Sequence, residues 1–111
     1  MASKKKSVIW SGPAAVELRT IVRYIRKENP NNALTVFGRI KRECSALASF
    51  PEVGRIPVEM ECQQIVEYRE LVVAPWRIIY RIRKNDVEIL SVVDSRRNLD
   101  EAFFDRLMRG V

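Results

Sequence analysis

The sequence predicts an α+β fold in one domain spanning residues 1–111: a short N-terminal strand, an antiparallel helical hairpin, a three-stranded antiparallel β-meander that completes one sheet, and a short C-terminal helix. Three observations carry this reading. Apolar residues recur at helical spacing over 14–25 and again over 33–47, with a break at Asn29-Pro30-Asn31 between the two stretches. Three strand-like apolar runs follow between Ile65 and Val93, separated by Ala74-Pro75 and by Lys84-Asn85-Asp86. A chain of 111 residues with 47% hydrophobic and 31% charged side chains can bury one core and has no room for a second domain.

Taken in order, Lys4 to Lys6 form a basic run that reads as a solvated terminus or as an arm for an anion. Ser7 to Trp10 is short and β-prone, and its place in the sheet is left open by pattern alone. Ser11 with Pro13 is a helix start, because a serine side chain accepts a free first-turn amide and proline suits that turn. Ala15, Leu18, Ile21, Val22 and Ile25 then make the buried stripe, with Glu17, Arg19, Arg23 and Arg26 outward. Pro30 ends this helix, Asn31 or Asn32 caps the next, and the tight connection makes the two antiparallel. Ala33, Phe37, Ile40, Cys44 and Leu47 form the second stripe.

Phe50-Pro51-Glu52-Val53-Gly54-Arg55, followed by Pro57, excludes regular structure and fixes a bend. The first meander strand is expected over Ile65 to Val73, where Pro75 stops it. In the second, Trp76, Ile78, Tyr80 and Ile82 share one parity and Arg77, Ile79, Arg81 and Arg83 the other, which predicts one core face and one wet, cationic face. The third runs from Val87 to Val93. Asn98 and Glu101 resemble a capping box opening the last helix, with Leu99, Ala102, Phe103 and Leu107 inward. Phe103 is assigned to the core; Phe104 and Met108 extend that stripe or form a patch for a partner.

The net charge of +6 points to an acidic partner surface, to nucleic acid, or to a basic protein with neither. No apolar run is long enough to span a bilayer and no signal-peptide core follows the start, so a cytoplasmic protein without membrane contact is expected. Cys44 and Cys62 lack metal-ligand spacing and the chain has no histidine, so no metal and no cofactor are expected, and both read as free thiols.

Tyr68-Arg69-Glu70-Leu71, Trp76 to Ile82, Val87 to Val93, the closing Ser95-Arg96-Arg97-Asn98 and the Phe50-Pro51 to Gly54-Arg55 bend together resemble the ParE/RelE superfamily of bacterial type II toxins, with the ParE branch the better match. The ParE resemblance implies a toxin that inhibits DNA gyrase by protein contact and is neutralised by a ParD-like antitoxin, with operator DNA reached only through that antitoxin. The RelE resemblance implies instead a ribosome-dependent endoribonuclease, with Arg77, Arg96 and Arg69 on the scissile phosphate. A third reading is a non-toxic member acting in repression of its own operon.

Ribonuclease chemistry needs a base, an acid and phosphate-binding cations. Without histidine the proton carriers reduce to glutamate, lysine or tyrosine. RelE-like nucleases place a tyrosine or histidine after the last arginine, whereas Leu99 to Phe104 contains neither. Tyr80 falls on the core parity, opposite Arg77 and Arg81. The cluster Arg69, Arg77, Arg81, Arg96 and Arg97, with Phe104, is therefore expected to serve antitoxin or target binding, on a basic sheet face and the groove beside the hairpin. The plainer reading of the same arginines is a solvated face paired with Glu67, Glu70 or Glu88.

Overall fold

The computed structural model describes residues 5–96 and 98–109; Lys4 and Arg97, singled out above, lie outside the described residues, as does the side chain of Met108. Strands β1 (Ser7–Trp10), β2 (Tyr68–Val73), β3 (Trp76–Ile82) and β4 (Asp86–Asp94) form one sheet in the order β1-β4-β3-β2. The meander is antiparallel as expected. The first strand, which pattern could not place, runs parallel to β4, with Val8 opposite Val87 and Trp10 opposite Ile89. Such a pairing needs a long crossover, and the chain from Ser11 to Asn85 supplies it. Opposite Ile79 and Tyr80 the register shifts, leaving Leu90 as an extra residue in β4.

Ser11 caps α1 (Gly12–Glu28), its Oγ accepting the Ala14 amide at 3.2 Å. Asn29 both ends α1 and caps α2 (Pro30–Ser45), accepting the Asn32 amide at 3.0 Å, so the cap lies two or three residues earlier than expected. Proline at the first helical position explains the shift: it has no amide to satisfy and its fixed φ suits the turn. The hairpin packs on the sheet face predicted for it. Ala14, Leu18, Ile40, Cys44 and Leu47 meet Ile78, Tyr80, Val87, Ile89 and Val92 in one core. Phe37 departs from its assigned stripe and remains 40% exposed, while Ala14 takes the buried place given to Ala15.

The opposite face is not wet. Met60, Tyr68, Ile79, Val93, Leu99, Phe103 and Leu107 form a second core on it. Its covers are α3 (Val58–Glu61), a one-turn helix inside what was expected to be loop, and α4 (Glu101–Met108). Residues 65–67 belong to the approach to β2 and not to the strand. Asp100, rather than Asn98, caps α4 by accepting the Phe103 amide at 2.9 Å. Arg106 ties α4 to the body through Ser91 Oγ at 2.9 Å, and that hydroxyl donates to Glu17 of α1 at 2.9 Å.

Candidate functional site

Arg77 lies on the parity that was expected to face water, yet it is 7% exposed. Its Nε donates to Glu70 Oε1, and its Nη1 and Nη2 donate to the two Glu59 oxygens at 2.8 Å each. Glu70, 2% exposed, also accepts from Arg55 Nε at 2.8 Å. Glu59 accepts in addition from the Leu99 amide at 3.1 Å, which ties the approach to α4 onto α3. The Arg77 guanidinium bonds hold the Glu59 carboxyl down at about 2, against the opposing effect of burial. Arg77 itself is raised, chiefly by the Glu59 bonds. A cavity of about 320 Å³ opens beside this network, lined by Val58, Val72, Ser95 and Asn98 as well as the ionic groups.

That arrangement opposes phosphate binding. A guanidinium grips phosphate with the same planar fork that here holds carboxylates, and an incoming phosphate would meet Glu59 and Glu70 as like charges. The other arginines are not gathered onto one point. Arg81 pairs with Glu88 at 2.7 Å and Arg83 with Asp86 at 2.6 Å. Arg96 bonds Asp94 through both its backbone amide and its guanidinium, which lowers the Asp94 carboxyl to about 2. Arg69 points to the other sheet face and donates to the carbonyls of Gly54 at 2.7 Å and Glu52 at 3.3 Å. Tyr80 is fully buried, as its parity implied; its hydroxyl donates to the Pro51 carbonyl at 2.7 Å and accepts from the Gly54 amide at 2.9 Å, and burial raises its pKa. Arg77, Arg69 and Arg96 thus do not converge, and Tyr80 is committed to the bend. Phe104 is half-buried, edge-on to Phe103 with ring centres 6.2 Å apart.

The largest group of cations without an ion pair among the described residues lies on the hairpin. Helices α1 and α2 carry seven lysines and arginines against three glutamates. Between them runs a valley of about 210 Å³ with Val22 and Phe37 as its apolar floor and Arg19, Arg23 and Arg26 along it. These three arginines make no ion pair among the described residues. Tyr24 and Leu34 add further exposed apolar surface on the same two helices. Sequence reasoning expected a groove beside the hairpin but not Phe37 in it, having put that residue in the core, and it missed Glu59 because a single helical turn leaves no periodic signal. A clue was present in Ile79, an aliphatic residue between two arginines on the face thought to be wet. Among the described residues no cluster suited to a metal ion occurs, and no helix is long and apolar enough to cross a membrane.

A family profile described as ParE toxin of type II toxin-antitoxin system, parDE, matches residues 8–99. The protein Y4kP of Sinorhizobium fredii is 38% identical over 95 residues, covering 84% of this chain and 92% of its own length. Toxin ParE3 of Caulobacter vibrioides is 29% identical over 93 residues, covering 83% and 89%. The solved chromosomal ParDE system from P. aeruginosa contains a chain with the same fold, at a TM-score of 0.69 and 21% identity, covering 83% of this chain and 98% of that one.

Proposed function

The chain belongs to the ParE toxin family of type II toxin-antitoxin systems, and from that premise we propose that it acts by binding DNA gyrase and trapping it on cleaved DNA, with no catalysis of its own. The observation that carries the non-catalytic reading is the state of Arg77. The best-placed candidate for a phosphate-binding cation is buried and held by the carboxylates of Glu59 and Glu70. The stretch where a nuclease would keep a proton carrier, Leu99 to Phe104, offers only Asp100 and Glu101, and Asp100 is spent on the α4 cap.

A ParD-like antitoxin neutralises the toxin by laying an acidic amphipathic helix into the hairpin valley, its apolar side on Val22 and Phe37 and its carboxylates on Arg19, Arg23 and Arg26. The basic sheet face expected for this role is covered and paired, which leaves the hairpin as the larger cationic surface. Arg81, Arg96 and Phe104 keep solvent-facing area and supply subsidiary contacts to antitoxin or target; operator DNA is reached through the antitoxin.

Expression without antitoxin, combined with a primer-extension map of transcripts, tests this. Growth arrest with no codon-positioned cuts is expected. Cuts at codon positions would establish the ribonuclease instead, and unimpaired growth would establish a non-toxic member.

A further inference from the structure

The bend at residues 50–54 ends in two large apolar side chains pointed at water: Phe50 is 66% exposed and Val53 65%. Exposed apolar residues are common and usually mean nothing when the backbone beneath them is loose or they stand alone. This pair differs on both counts. The segment Pro51–Val53 is a single 3-10 turn closed by the Val53 amide on the Phe50 carbonyl at 3.2 Å. From below, the buried Tyr80 hydroxyl holds the Pro51 carbonyl and the Gly54 amide, and Arg69 holds the carbonyls of Glu52 and Gly54. Gly54 fits against Tyr80 so closely that a Cβ there would sit 2.6 Å from the Glu70 carbonyl oxygen. The fold therefore uses a buried tyrosine and a half-buried arginine to fix the direction of two side chains that contribute nothing to its own core.

A concavity of about 600 Å³, lined by Lys6, Ala48, Ser49, Pro51 and the exposed Glu52, lies beside the pair. Lys6 and Glu52 offset each other in its lining, so the excess positive charge comes from Lys5 and Lys84 beyond it. The Lys6 ammonium bonds the carbonyls of Arg83 and Lys84, which brings the β3–β4 turn to the same end of the molecule. Lys5, Lys6 and Lys84 form no ion pair with any described residue. A second copy of a chain carrying +6 would be repelled here. The surface is also separate from the hairpin valley: the two share no lining residue, and Phe37 and Ala48 are eleven residues apart along one nearly continuous helical run, roughly 17 Å.

We infer that the Phe50–Val53 knob is the surface that engages the toxin's target, inserting into an apolar socket with an acidic rim on that protein. The inference rests on the proposed action on gyrase and names the part of the toxin that delivers it. Rigid apolar anchors need little ordering on binding, which is the property that concentrates interface energy in a few residues.

The test compares the wild-type chain, Phe50→Ser/Val53→Ser and Phe37→Ser, each purified free of antitoxin. Far-UV circular dichroism and thermal melts establish folding first; both changed sites are solvent-facing, so native spectra are expected. Three readouts follow: gyrase-dependent linear plasmid, affinity for the ParD-like antitoxin, and growth arrest in cells. The knob variant is expected to need at least about tenfold more protein for the same cleavage, to lose growth arrest, and to keep its antitoxin affinity. Phe37→Ser is expected to do the reverse. A knob variant that traps gyrase at wild-type concentrations overturns the inference, and so does one that loses antitoxin affinity while still arresting growth. If wild type leaves gyrase untouched, the gyrase reading fails by itself; the knob then stands or falls on whether the double variant still arrests growth.

Discussion

Arg77→Met separates a structural arginine from a functional one. Methionine keeps much of the side chain's length and removes its charge, leaving Glu70 at 2% exposure with Arg55, itself 72% exposed, as its one cation among the described residues. Breaking a buried ion pair from one side costs about 3–5 kcal/mol, because the remaining charge is stranded. Glu59 loses its partner as well, since the Arg77 bonds are the chief reason its carboxyl is held down at about 2. A domain of this size has only about 5–15 kcal/mol in total, so the melting temperature should fall by roughly 10–20 °C. Urea titration followed by the fluorescence of Trp10 and Trp76 reads the loss directly. Adding Glu59→Gln and Glu70→Gln to Arg77→Met should restore most of it, since no buried charge is then unpaired. A loss below about 1 kcal/mol, the range of exposed pairs, or a triple variant no more stable than the single one, would refute the buried-network account and return Arg77 to the pool of available cations.

The same network predicts a pH dependence. Glu59 is more acidic folded than unfolded, so its contribution is complete above about 4.5 and is lost as pH falls from there toward 2; Glu59→Gln should flatten urea stability across that window, and an unchanged slope would contradict the assignment. Gly54→Ala should destabilise the chain by several kcal/mol, because Tyr80 and the Glu70 backbone leave no room for a methyl; a native-like melt would show that the bend is not pinned. The buried Cys44 thiol is pushed up to about 12 by burial and Cys62 is exposed, so iodoacetamide at pH 8 should label Cys62 alone in the folded chain, as read by peptide mass mapping.

Much of the fold was legible because its signals are local and periodic. The hairpin stripes, the proline punctuation at Pro30 and Pro75, and the parity of Trp76, Ile78, Tyr80 and Ile82 each follow from backbone geometry, and the hairpin was correctly set on that face. The error lay on the other face. Alternation says that Arg77, Ile79 and Arg81 point the same way, but not what lies above them, and the cover comes from α3, too short to leave a period, and from α4, remote in sequence. Glu70 was named as a cross-strand partner for the arginines and does hold Arg77, whereas Glu59, 18 residues from Arg77, was not foreseen, nor was the burial of the pair. The bend at Phe50 to Arg55 read only as a break in regular structure. Its rigidity depends on Tyr80 and Arg69, which the fold alone brings beneath it.

The central claim is that this toxin acts by contact with gyrase and not by cutting RNA, and a titration of antitoxin-free protein into gyrase, ATP and relaxed plasmid tests it most directly. The account predicts that supercoiling falls while linear, gyrase-cleaved plasmid rises and saturates as the toxin approaches stoichiometry with the enzyme. Undiminished supercoiling without linear product, from folded protein that still arrests growth, would contradict it.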